Sequence, residues 1–168
     1  MKNLKGLIEG ANMNLDVKGY RGVVRDLTGL LDELKGFPCT VQLMDARAVA
    51  GREHAIHGAI HALKAFERGQ NISSDMGIEI CLRVAGMRQI SRAIELLGIK
   101  EGEMEICAVL VDCGDEVIKF LDSIFERDDG VLEPDEEYLR RIYDLGGEAE
   151  TVGVGEALME RTTMLTVA

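Results

Sequence analysis

Apolar positions along this chain alternate between two periods, and the switches mark its elements. Short runs of branched residues at Leu4–Ile8 and Val41–Met44, the second introduced by Pro38, predict strands. Between them Val23, Leu27, Leu30, Leu31 and Leu34 recur at helical spacing, and Gly36 closes that helix. Met104–Val111 (MEICAVLV) is almost continuously apolar, which predicts a strand buried on both faces. The following GDEVIKFLDSIFER predicts an amphipathic helix with Val117, Leu121 and Ile124 inward. Pro134 opens EPDEEYLRRIYDLG, with acids at its N-terminal end and Gly146 closing it. A last helix is expected near residues 154–166. Strand–helix–strand, three helices, strand, then helices is an α/β order in the α+β sense. It predicts one domain over residues 1–168, with a small central mixed sheet surrounded by helices.

The three middle helices carry the features that bear on function. The first runs from about Val49 to Arg68. On a wheel of ~100° per residue, Ile56, Ile60, Leu63 and Phe66 form a stripe toward the core. His54, His57 and His61, with Lys64 and Arg68, fall on the opposite side as a basic stripe. Gly58, Ala62 and Ala65 beside it allow close approach of another helix or a ligand. The second helix begins within Asn71–Asp75, where each polar residue is a good N-cap, and Gly86 is placed to end it in a left-handed cap. Met76, Ile80 and Val84 share one of its faces. The third starts at Met87 or Arg88, with Ile90, Ala93, Ile94 and Leu97 inward and Gly98 at its end. Arg88 and Arg92 share its outer face beside Gln89, and free backbone N–H groups with guanidinium forks suit phosphates.

Composition narrows the reading. The 168 residues carry a net charge of −11, which at face value opposes nucleic-acid binding. The placement of the charges points the other way. From Arg47 to Arg92 there are seven basic and four acidic residues, against 12 basic and 26 acidic in the remainder. A locally positive patch on an acidic body can hold a short anionic segment while the rest of the surface repels indiscriminate binding. No run of about 20 apolar residues is available to span a bilayer, and MKNLKGLIEGANMN has no apolar signal core, so a cytoplasmic protein is expected. Cys39, Cys81, Cys107 and Cys113 lie in apolar segments without CxxC spacing and are expected to be buried and reduced.

Catalytic equipment is scarce. His54, His57 and His61 could present imidazoles to a metal, but only His57 and His61 have the i, i+4 spacing and no Glu lies between them. Cys113, flanked by Asp112 and Asp115 after the apolar strand, is the best nucleophile available; two neighbouring carboxylates would raise its pKa. No Gly-rich phosphate loop occurs. The expectation is a non-enzyme with no metal and no cofactor.

The segment ALKAFERGQNISSDMGIEICLRVAGMRQISRAIELLGI resembles the signature region of the kinase-binding subunit of the KEOPS (EKC) complex, the PRPK-binding protein family, in its archaeal type. The landmarks are Phe66–Gly69, Asn71–Ser74, Glu79–Gly86, Arg88–Ile90, Ala93–Ile94 and Gly98, followed by the strand at Ile106–Val111 and a C-terminal GEALMERTTMLTV. Cys81 and Val84 depart from the pattern by varying apolar packing, and Asn12–Gly22 matches little. The resemblance implies an α/β domain that is a non-catalytic accessory subunit of the complex making N6-threonylcarbamoyladenosine in tRNA. It implies direct binding to the atypical kinase/ATPase subunit, indirect association with the threonylcarbamoyl transferase subunit, and recruitment of tRNA through its 3′ CCA end, without a membrane. By that analogy the RNA-facing residues are Lys64, Arg68, Asn71, Arg83, Arg88, Gln89 and Arg92, of which Arg83 could equally point into a helix–helix contact. Met164 and Leu165, with Val167, complete the surface or simply dock the last helix. The alternative is a pure protein–protein adaptor of the kinase without RNA contact.

Overall fold

A computed structural model describes residues 14–167, so the expected strand at Leu4–Ile8 and the side chain of Val167 lie outside the described residues. The sheet has four strands in the order β2-β3-β1-β4. Strand β3 (Gly102–Val111) is central, and its continuous apolar run is explained by its position. Ile106, Ala108 and Leu110 enter one buried cluster while Cys107, Val109 and Val111 enter the other. Strand β2 (Thr40–Asp45) pairs antiparallel with one edge of β3, Thr40 opposite Val111. Strand β1 (Leu15–Val24) pairs antiparallel with the other, Leu15 opposite Val111 and Val24 opposite Gly102. The two-residue β4 (Glu126–Arg127) adds to β1 at Tyr20 and Arg21.

The α+β class is as expected, but the sheet is antiparallel throughout rather than mixed. The sequence pattern also missed β1. Val23 belongs to this strand and is exposed, rather than opening the first helix. Gly19 and Gly22 interrupt the apolar alternation because other chain segments press on them. A Cβ at Gly19 would lie 3.0 Å from Asp129 Cα, and one at Gly22 2.7 Å from a Phe125 ring carbon.

Helices α1 (Leu27–Lys35) and α5 (Asp115–Ile124) cover one face of the sheet through Leu30, Leu34, Val117 and Leu121. Ile124 is exposed rather than inward, since the chain leaves α5 there to form β4. Helices α2 (Arg52–Glu67), α3 (Met76–Ala85) and α4 (Ile90–Leu97) cover the other face. Gly58 on α2 is the contact point expected of it: a Cβ there would lie 2.9 Å from the Val84 backbone of α3. Helix α4 starts at Ile90 rather than Met87 or Arg88, because Gly86 is followed by two further non-helical residues before Gln89 caps the helix. Ile90, in the first turn, consequently points outward. Helix α6 (Glu136–Ile142) ends before Gly146, which instead introduces α7 (Gly147–Val152). Helix α8 (Val154–Val167) follows, and Leu139, Tyr143, Val154, Ala157 and Leu158 form a third cluster under these helices.

Two of the four cysteines are not reduced. Cys39, just before β2, and Cys113, just after β3, are joined in a disulfide with Cα atoms 5.2 Å apart. The Thr40–Val111 register brings the two strand ends side by side, which spacing along the chain does not reveal. Cys81 and Cys107 are buried and free, as expected. No helix among the described residues is long and apolar enough to cross a membrane.

Candidate functional site

The C-terminal end of α2 turns sharply into the loop that carries Asn71. Arg68 caps α2, Gly69 adopts φ +67°, and the Gln70 N–H reaches back to the Ala65 carbonyl at 2.8 Å. That is a left-handed helix end, which glycine adopts without Cβ strain. Lys64 on the last turn is half-buried, and Arg68 and Asn71 are exposed. The Asn71 side-chain amide donates to the Ser73 carbonyl at 2.9 Å. Asp75 then caps α3 by accepting from the Ile78 N–H at 2.9 Å, which selects it among the polar residues available.

Arg83 was expected to face RNA, yet it is buried. It is 3% exposed, its Nε donates to Glu79 Oε2 at 2.8 Å, and its Nη2 donates to the Gln70 carbonyl at 3.3 Å. Helix α3 is enclosed on nearly all sides, so a charge on it faces inward and needs an internal partner. Glu79, four residues earlier on the same helix, supplies one. Glu79 is the residue of this region that sequence reasoning passed over. Its signal was an acid one turn before an arginine on an otherwise apolar helix.

Gly86 ends α3 with φ +67°, as its place in the sequence predicts. Arg88 and Gln89 are exposed in the connection to α4, and Arg92 is exposed on its first turn. The Gln89 side chain makes no capping hydrogen bond at the start of α4. Arg88 reaches across to α8, where its Nη2 donates to the Leu165 carbonyl at 3.1 Å. A cation at a helix C-terminus interacts favourably with the partial negative charge there. Leu165 is buried, so its side chain docks α8, while Met164 is 59% exposed.

The histidines are not a solvent-facing basic stripe. The wheel assumed one buried face on α2, whereas α8 packs on the other. His54 is fully buried: its Nδ1 accepts from the Ala50 N–H at 2.9 Å and its Nε2–H donates to the Val84 carbonyl at 2.8 Å. Burial lowers its pKa to about 4. His57 Nε2 lies 3.1 Å from the Met159 carbonyl, and burial lowers its pKa also. His61 Nδ1 lies 2.9 Å from Thr166 Oγ1. Burial is again the main cause of its pKa of about 4, with His57, Lys64, Arg83 and Arg68 adding positive charge nearby. Among the described residues no three His, Cys, Asp or Glu side chains are grouped to hold a metal. Cys113, the candidate nucleophile, is tied up in its disulfide.

These contacts assemble one corner of the molecule from distant parts of the chain. Lys64 and Arg68 lie around His61, His61 meets Thr166, and Arg88 meets Leu165. The last turns of α8 therefore join the α2 end to the α3–α4 connection. The corner presents cations, amide groups and an exposed methionine.

Residues 23–164 match the family described as "Kinase binding protein CGI-121". The chain is 26% identical over 150 residues to the "Regulatory protein Cgi121" of Methanocaldococcus jannaschii, spanning 85% of this chain and 96% of that relative. It is 33% identical over 93 residues to the "KEOPS complex subunit Cgi121" of Pyrococcus abyssi, spanning 55% of this chain and 54% of that relative. With the family match running from the end of β1 nearly to the end of α8, the chain belongs to the CGI-121 family of kinase-binding proteins.

Proposed function

We propose that this protein is a non-catalytic, cytoplasmic accessory subunit of a KEOPS complex. In this reading it binds the atypical kinase/ATPase subunit directly, meets the threonylcarbamoyl transferase subunit only through the complex, and recruits tRNA through its 3′ CCA end. The observation that carries the RNA role is the gathering of Lys64, Arg68 and Arg88 around the end of α8, in a chain that is otherwise strongly acidic. A CCA end offers two or three phosphates and unstacked bases, which suits a small corner of this kind. Asn71, three residues after Arg68, and the exposed Gln89 and Arg92, just after Arg88, extend the set in this reading, and Met164 supplies an apolar contact. Arg83 and Leu165 support this corner from inside rather than touching RNA. Bases would stack on arginine planes more than on aromatic rings.

The test uses Arg68→Glu and Arg92→Glu, since Arg88 also caps α8. Both variants should bind tRNA more weakly and lower modification by the assembled complex, while co-eluting with the kinase as the wild type does. Glu136→Lys on α6 should not weaken tRNA binding. Trimming CCA from the tRNA should reproduce the arginine effect. The salt dependence should correspond to a few contacts, at a slope of about −0.7 per phosphate for single strands. Equal binding of intact and trimmed tRNA would refute the RNA role and leave an adaptor of the kinase. Separate elution of the two proteins at micromolar concentration would refute the kinase partnership.

A further inference from the structure

Glu79 and Arg83 are the two buried ionisable side chains on α3 that form an ion pair, 0% and 3% exposed. Burying both charges is not a route to stability in itself, since an apolar pair of similar volume is often as good or better. What the pair does instead is fix geometry. Glu79 Oε1 accepts from the N–H groups of Ile72 and Ser73 at 2.8 and 2.7 Å. Its Oε2 accepts from Arg83 Nε at 2.8 Å, and Arg83 Nη2 donates to the Gln70 carbonyl at 3.3 Å. The loop from Gln70 to Ser73 has no ladder or helix of its own to satisfy these backbone groups. Asn71 sits in the middle of the clamped segment, and Arg68 two residues before it. The main-chain carbonyl of Arg83 also accepts from Thr162 Oγ1 at 2.6 Å, so the same residue registers α8 on α3.

We infer that the Glu79–Arg83 pair is a positioning element that fixes the Gln70–Ser73 loop, and with it Arg68 and Asn71, in the arrangement that meets the RNA end. The inference rests on the RNA-end reading of the site. The pair touches no RNA; it acts through the loop backbone.

Two variants test this. Glu79→Met removes the acceptor of the Ile72 and Ser73 N–H groups and leaves Arg83 buried without its partner. Glu79→Met with Arg83→Met removes both charges and the loop acceptor at similar volume, and serves where the single variant does not fold. Three readouts are compared with wild type: hydrogen exchange at the Ile72 and Ser73 amides against those of β3, affinity for intact and CCA-trimmed tRNA, and co-elution with the kinase. In a folded variant, exchange at Ile72 and Ser73 should accelerate by roughly tenfold or more, with β3 unchanged, because the lost acceptor held those amides. Affinity for intact tRNA should fall by a similar factor, with trimmed tRNA and kinase binding unaffected. Unchanged loop exchange would overturn the clamp. Faster loop exchange with tRNA affinity within about twofold of wild type would overturn its positioning role. Wild-type protein that fails to distinguish intact from trimmed tRNA would instead refute the RNA-end reading and the role resting on it. That failure shows in the wild type and the others only in the variants.

Discussion

Acidification should reveal His54 as a buried switch of stability. Its ring is held neutral by one donor and one acceptor, and burial sets its pKa at about 4 against 6.5 in the unfolded chain. Between those values the unfolded chain binds a proton that the folded chain does not, so stability must fall as the pH drops from 6.5 toward 4. Above pH 6.5 both states are neutral and the effect vanishes. At ~1.4 kcal/mol per pH unit, the loss by pH 4 comes to about 3 kcal/mol. Many carboxylates titrate in the same window, so the histidine is isolated by difference. His54→Gln can keep the bond to the Val84 carbonyl but deprives the Ala50 N–H of its acceptor, which should lower stability by about 1–3 kcal/mol at about pH 7. Denaturant unfolding at about pH 7, 5.5 and 4 should then show the gap between wild type and variant shrinking by about 3 kcal/mol, closing or reversing it. A gap that stays constant over that range, or a His54 ring that titrates near 6.5 by NMR, would refute the reasoning.

Oxidised protein unfolded without reductant should show two titratable thiols, Cys81 and Cys107, and four after reduction; four at the outset would exclude the disulfide. In the folded protein both free thiols should resist alkylation in mildly alkaline buffer, because burial pushes each pKa up to about 12. Gly58→Ala should lower stability by about 1–3 kcal/mol, since the new methyl meets the Val84 backbone and α3 cannot retreat without opening the core. A variant melting with wild type would mean that the helices separate freely.

How far the fold could be read in advance depended on how many faces each element buries. Strands β2 and β3 and helix α1 showed themselves because their apolar positions match their period. Strand β1 was hidden by Gly19, Gly22 and its charged residues, which answer to neighbouring segments rather than to alternation. The candidate site was legible as a set of cations near one another in sequence. Its assembly was not, because α8 arrives from roughly a hundred residues away to cover the histidines and meet Arg88. Arg83 entered the RNA-facing set by analogy, while its alternative, a helix–helix contact, is where its burial puts it. The match to the kinase-binding family recovered what local patterns could not: the order of landmarks over residues 23–164.

The bond between Cys39 and Cys113 makes residues 39–113 a closed ring, with α2, α3 and α4 all inside it and α8 outside. A single cut at the exposed turn around Gly69–Asn71 therefore leaves one covalent molecule under oxidising conditions and two fragments once thiols are reduced. The two contributors to the basic corner differ accordingly. The segment carrying Lys64, Arg68 and Arg92 remains tethered after such a nick, whereas α8 is tied to the ring only by the chain after Cys113 and by its packing. Trimming the protein from its C-terminal end would thus dismantle the corner while the ring stayed whole.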